Sequence, residues 1–148
     1  MKEIMVAIDG SDGSVAAIDE AVELAAPLGA HITFLSVRKA PSSLLGTPNY
    51  ECRLARDLGV TRAAVDAALK KARGAGIEAR GEMVEGNAVD EILSFADNCG
   101  ADLIVMGSRG HGALAGAVLG SVSSEVAQHA NVPVLVTKQA RPRRLQAA

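Results

Sequence analysis

Aromatic residues are almost missing from this chain, which has two Phe, one Tyr and no Trp among 148 residues. With 49% hydrophobic residues, the core must therefore be aliphatic, a composition that suits helices packed on a parallel sheet. Cysteine is scarce too. Cys52 and Cys99 stand alone, with no C-x-x-C and no histidine at ligand spacing, so no zinc or redox motif is present. A reduced, cytoplasmic setting is the expectation, with a single disulfide left open. No stretch approaches the ~20 apolar residues of a membrane span. Met1-Lys2-Glu3 runs directly into a strand pattern, so no signal peptide and no membrane partner are expected. Charge of one sign is also lacking. Fifteen basic against 17 acidic residues leave a net charge of −2 and a pI near 5.9, which excludes a global field drawing the chain to nucleic acid. Finally, no Gly-Lys-(Ser/Thr) occurs, and without its lysine a P-loop NTPase is excluded.

What is present fits one domain, expected over residues 1–138. Ile4 to Ile8 is a compact apolar run, read as a first strand that ends in the polar cluster Asp9-Gly10-Ser11-Asp12-Gly13-Ser14. Asp9 stands where it could cap the next helix. Ala17, Ile18, Ala21, Val22, Leu24, Ala25 and Leu28 then recur at helical spacing up to Gly29, a C-terminal stop. His31 to Val37 is a second strand, followed by a loop of about a dozen residues from Arg38 to Asn49, a length associated with function. Glu51 to Gly74 carries a longer helical pattern through Leu54, Leu58, Val65, Ala68, Leu69 and Ala72, with Gly59 as a possible break. Ile77 to Val84 reads as a third strand, and its interleaved polar residues suit a sheet edge. Asn87 to Asn98 is a third helix, Leu103 to Met106 a fourth strand buried on both faces, Ser121 to Ala130 a fourth helix with Val122, Val126 and Ala127 inward. Val132 to Val136 is a last strand, in which Pro133 belongs at the start or on an edge. Beyond it Lys138, Arg141, Arg143 and Arg144, with no acidic residue after Glu125, make the end of the sequence basic, and residues 139–148 are a tail expected to be disordered.

Strands alternating with helices predict an α/β fold with a five-stranded parallel sheet, helices on both faces, and ligands at the carboxyl ends of strands where the strand order reverses. Asp9, Val37 and Gly107 each fall at such an end. The most informative stretch is Leu103 to Glu125, LIVMGSRGHGALAGAVLGSVSSE, in which Gly107, Gly110 and the pair Gly120-Ser121 form G-x2-G-x9-G-S directly after a strand. Glycines permit close approach to bare amides, and a helix start offers unpaired N–H groups and a positive dipole end. A phosphate chain is the matching ligand.

This spacing resembles the nucleotide-binding branch of the universal stress protein family, and the resemblance covers residues 3–137. It implies a three-layer, Rossmann-like sandwich of the adenine nucleotide alpha hydrolase type with strand order 3-2-1-4-5. It implies Ala7 and Asp9 near adenine and ribose, Val37 at the adenine edge, and Met106, Gly107, Arg109 and Gly110 along ribose and phosphates. Gly120, Ser121, Val122 and Ser123 would hold the phosphate tail, and Gly86-Asn87-Ala88 matches the Gly-x-(Pro or Ala) before the third helix. The implied ligand is ATP, with Mg2+ as an accompanying ion. Separately, an apolar strand ending in Asp9 resembles the metal-positioning Asp of phosphate-handling enzymes and makes Asp9 a candidate metal ligand, although that pattern wants a second Asp two residues on and Asp12 stands three on. The implied assembly is a homodimer through the last strand.

Turnover is less legible than binding, because no Ser-His-Asp set or metal cluster can be read from spacing, and His111 reads as a solvated loop residue. The reading is thus an ATP-binding stress-response or signalling module with at most slow hydrolysis or autophosphorylation. An interaction protein of the same fold that has lost nucleotide is the alternative, against which the intact glycines weigh. Gly110-x-Gly112-x-x-Ala115 also follows a strand, yet it lies in the fourth unit and lacks an acidic residue about twenty positions on, so a dinucleotide site is the weaker match.

Overall fold

The computed structural model describes residues 1–39, 50–108 and 119–138, with the backbone alone for residues 50–55. Its elements are β1 (Glu3–Ala7), α1 (Asp12–Leu28), β2 (His31–Arg38), α2 (Tyr50–Gly74), β3 (Ala79–Glu85), α3 (Ala88–Cys99), β4 (Leu103–Gly107), α4 (Ser121–His129) and β5 (Val134–Thr137). The five strands are all parallel and lie in the order β3-β2-β1-β4-β5. The chain thus builds outward from β1 in one direction, then returns to β1's other side and builds outward again. The reversal lies between β1 and β4.

Alternation along the strands divides the core into two layers. Ile4, Val6, Ile32, Phe34, Leu103 and Val105 face α1 and α2, where they meet Ala17, Ala21, Val65 and Ala68. Met5, Leu35, Ile104 and Met106 face α3 and α4, where they meet Ile92, Ala96 and Val126. Because both faces are covered, β1, β2 and β4 carry near-continuous apolar runs. β3 and β5 form the edges, as the mixed pattern of β3 predicts.

The helix ends follow their residues. Gly29 and Gly100 take left-handed φ values of 61° and 68° and return their N–H groups to the last turns of α1 and α3. Asn87 caps α3 through its side chain, which accepts from Asp90 N at 3.1 Å. Helix α2 runs through Gly59 without a break. Several inward assignments differ from the sequence expectation: Leu28, Leu58 and Ala127 are exposed, and Leu54 lies outside the described side chains. Helix α4 buries Ser123 beside Val126, in place of Ala127. Ile77 is buried but precedes β3, its N–H closing the α2 C-terminus onto Ala72 O at 3.0 Å. β5 likewise starts after Pro133, so Val132 lies outside it. The Cys99 thiol donates to Ala96 O at 3.6 Å, and burial, followed by the nearby Glu3 carboxylate, raises its pKa.

At the opposite end of the sheet from the glycine motif, the Asp102 carboxylate accepts from Lys2 N at 2.7 Å and Glu3 N at 3.0 Å, tying the start of β1 to the turn before β4. These two bonds favour the ionised carboxylate and hold its pKa below the ordinary value. A depressed pKa contributes stability above the unfolded-state value and loses it as pH falls through the folded-state value. Asp102→Asn should therefore lower stability at neutral pH, and the difference from the parent chain should shrink as pH drops below the carboxylate range. Urea titrations at pH 7 and pH 3 check this; an equal difference at both values would refute it.

Candidate functional site

At the carboxyl ends of β1, β2 and β4 the chain leaves a cavity of about 530 Å³. It lies at the strand-order reversal, where helices turn away to opposite faces of the sheet and leave a crevice. One part is apolar. Ala7, Leu35, Val37 and Met106 from the strands and Ile92 from α3 line it, all in the layer between the sheet and α3 and α4. The rest is polar, with Asp9, Ser11 and Ser14 at the start of α1 and Gly120, Ser121 and Ser123 at the start of α4.

The turn after β1 is braced by its own side chains. Ser11 is the N-cap of α1, its Oγ accepting from Ser14 N at 3.3 Å, so the cap falls two residues after Asp9. Asp9 Oδ1 accepts from Ser11 N at 2.9 Å and from the Ser14 hydroxyl, while Ser14 Oγ accepts from Asp9 N at 2.8 Å. Asp9 and Ser14 thus close a ring that fixes the direction in which the turn leaves the strand. Gly10, at φ 81°, supplies the left-handed step this requires.

Across the cavity, α4 begins at Gly120, and no side-chain hydrogen bond caps it. The first-turn amides of Ser121, Val122 and Ser123 have no acceptor four positions back within the helix and so lack intrahelical partners, and all three residues line the cavity. This helix start is pinned through Ser108, whose carbonyl accepts from Gly120 N at 2.6 Å and lies 3.1 Å from Ser123 Oγ. Ser123 Oγ also lies 3.0 Å from Gly120 O, so its buried hydroxyl serves the junction and its amide is what it presents. Ser108 N donates to Thr137 O at 2.8 Å, which joins the ends of β4 and β5 at the same point.

The structure brings together Ala7, Asp9, Val37, Met106, Gly107, Gly120, Ser121, Val122 and Ser123 around this one cavity. Arg109, Gly110 and His111 lie outside the described residues. Ile8, Ser11, Ser14, Leu35, Lys39, Ala88 and Ile92 also line the cavity and were missed as site residues. Ser11 and Ser14 were legible in the D-G-S-D-G-S turn. Lys39 carries no local signal, because its place depends on where β2 ends. Among the described residues no group of three His, Cys, Asp or Glu side chains could hold a metal ion.

Gly107 has a packing role that spacing does not reveal. A Cβ there would stand 2.8 Å from the carbonyl carbon of Gly13, so the end of β4 and the first turn of α1 touch backbone to backbone. Gly107→Ala should destabilise the fold by about 1–3 kcal/mol through overpacking, measured by chemical denaturation without ligand. Unchanged stability would show that the two backbones separate freely.

Comparison with known proteins places this geometry among relatives. The model of the universal stress protein family matches residues 1–138. Universal stress protein YxiE of Bacillus subtilis is 36% identical over 145 residues, spanning 92% of this chain and 98% of its own. A universal stress protein solved in complex with cAMP is 29% identical, with a TM-score of 0.73 and coverage of 94% of this chain and 98% of its own. One from Archaeoglobus fulgidus in complex with dAMP is 25% identical, with a TM-score of 0.68 over 92% of this chain and 97% of its own.

Proposed function

The chain belongs to the universal stress protein family, and from that premise we propose that its cavity binds ATP and that the protein is a nucleotide-dependent stress-response module. The observation that carries this reading is the pairing, in one crevice, of an apolar slot with the uncapped N-terminus of α4. Adenine fits the slot among Ala7, Val37 and Met106; ribose lies toward Asp9 and Gly107. The phosphates run to the amides of Ser121, Val122 and Ser123, where unpaired N–H groups and the helix dipole favour negative charge. The relatives solved with cAMP and dAMP support the adenine nucleotide class. Arg109 and Gly110 complete the set by position in the motif. Mg2+ would accompany the triphosphate and neutralise part of its charge. The setting that goes with this reading is cytoplasmic, and no described helix is long and apolar enough to cross a membrane.

ATP should raise the melting temperature, by an amount equivalent to roughly 2.7 kcal/mol at a hundred times the dissociation constant. Gly120→Val, which puts a branched side chain at the helix start, should abolish that shift while leaving the ligand-free protein folded. A normal shift in this variant would remove α4 from the site.

Binding and chemistry are separable in this reading. Amides that hold ground state and transition state alike tighten binding without accelerating turnover. In single-turnover measurements with Mg2+, phosphate release should be far slower than the roughly one to a thousand per second of ordinary enzymes. Release on the order of one per second, lost in His111→Ala, would make the protein an ATPase.

The reading also includes a homodimer through β5. That strand is an edge, and Val134 and Val136 are only partly buried, so its open side can pair with a second copy. Light scattering at micromolar concentration should give twice the chain mass; a monomer with and without ATP would contradict it.

A further inference from the structure

Charged side chains are few around the crevice. Among the described residues lining the main cavity Lys39 is the only cation, and Asp9, the one acid, is engaged by the donors of its own turn. A smaller cavity of about 240 Å³ shares Val37, Lys39, Ala88, Ser121 and Val122 with the first, and adds the turn into α3 and Glu125 of α4. There too Lys39 is the only described cation. One ammonium and the start of α4 therefore border both spaces.

Alternation along β2 delivers this lysine. Leu35 and Val37 belong to the layer against α3 and α4, and Lys39, two residues on, continues that side into the cavity. Arg38, between them, is committed elsewhere: its guanidinium pairs with Glu85, its register partner on β3, and its carbonyl accepts from Gly86 N at 2.9 Å. Side chain and backbone thus hold the end of β2 to β3, and Lys39 leaves from a fixed point. Lys39 itself forms no ion pair among the described residues. Its exposed side chain and the positive end of α4 are like-signed groups on the walls of one crevice, and an anion between them relieves their repulsion.

We propose that Lys39 is the residue by which this site reads the charge of its ligand: its ammonium meets the phosphates from the side opposite the first-turn amides of α4, and so sets nucleotides apart from uncharged nucleosides. The apolar slot holds the base of either kind, and Lys39 acts on the phosphates alone. Lysine suits the role because its ammonium is a compact point charge on a flexible stem, which follows a phosphate oxygen without a fixed bidentate geometry. Its contribution is decisive because, without it, the described side chains of the two cavities would present only the negative charges of Asp9 and Glu125. This inference rests on the ATP reading above.

The test titrates the full chain and three variants calorimetrically with ATP and with adenosine, at low and moderate salt. Lys39→Gln should bind ATP roughly tenfold more weakly, the scale of one hydrogen bond to a charged group. Its adenosine affinity should stay near that of the parent chain, and the salt dependence of its ATP binding should flatten. Lys39→Arg keeps the charge and should recover most of the ATP affinity. Lys138→Gln removes a charge at the same end of the sheet, one residue after Thr137, which is in register with Gly107. Lys138 is exposed and lines neither cavity, so this variant should bind ATP as the parent does. Equal ATP affinity in the parent and Lys39→Gln overturns the inference and leaves the ATP site standing. An equal loss for ATP and adenosine makes Lys39 a structural residue and overturns it as well. So does Lys39→Arg no stronger than Lys39→Gln, or a loss in Lys138→Gln as large as that in Lys39→Gln. Failure of the parent chain to bind ATP removes both readings.

Discussion

One backbone carbonyl holds the polar end of the cavity in place. Ser108 O receives Gly120 N and stands within reach of the Ser123 hydroxyl, while Ser108 N reaches Thr137 O. Three elements that are distant in sequence or separated by a glycine-rich segment are joined at this point. A helix start left uncapped costs stability unless something else fixes it, and a helix start fixed by its own side chain is no longer open to a ligand. The Ser108 junction resolves this conflict. It anchors α4 through Gly120 N and the Ser123 side chain, and so leaves the first-turn amides facing the crevice.

The apolar end of the cavity has a different origin. The strands that flank the reversal are buried on both faces along most of their length, and only at their carboxyl ends do Ala7 and Val37 become partly buried, while Met106 stays in the layer against α3 and α4. Ala7 and Val37 are therefore core residues that run out of core, beside the buried Met106 on the same cavity wall. In the proposed binding mode a planar, weakly polar base would complete that burial, at roughly 25 cal/mol per Å² of apolar surface removed from water. In the same mode, selectivity for an adenine nucleotide would come from the combination, since an apolar slot alone takes any flat ligand and a helix start alone takes any anion.

The sheet was legible because its signals are local: β-branched runs of strand length, glycines after helices and hydroxyl or Asn caps before them. The edge position of β3 was legible from Arg80, Glu82 and Glu85 interleaved with Met83 and Val84. The inward face of α4 was harder to read, because Ser123 is buried for a hydrogen bond to Ser108, fifteen residues away, and no periodicity carries that information. The same limit applies to Lys39 and Ile92, which enter the cavity only through the relative placement of β2 and α3. Gly107 shows how one residue can satisfy two constraints. The motif assigns it to the ligand, and the packing assigns it to Gly13, whose backbone fills the space a side chain would need. Its presence in the sequence is therefore weaker evidence for phosphate than its place in the motif suggests.

Asp9 illustrates how structural and chemical roles compete for one group. Its carboxylate accepts from Ser11 N and from the Ser14 hydroxyl, and its amide returns a bond to Ser14. A carboxylate whose Oδ1 is engaged by the two donors that fold the turn has a structural task before any chemical one. The same bonds orient it at the lip of the slot, where an ionised carboxylate can accept from a ribose hydroxyl without any proton being transferred. Replacing it removes the brace and the acceptor together, so loss of binding on changing Asp9 would carry no information about catalysis. Ser14→Ala is the sharper probe, because it breaks the ring while leaving the carboxylate in the sequence. If nucleotide affinity falls in that variant, position and not charge is what the ring contributes.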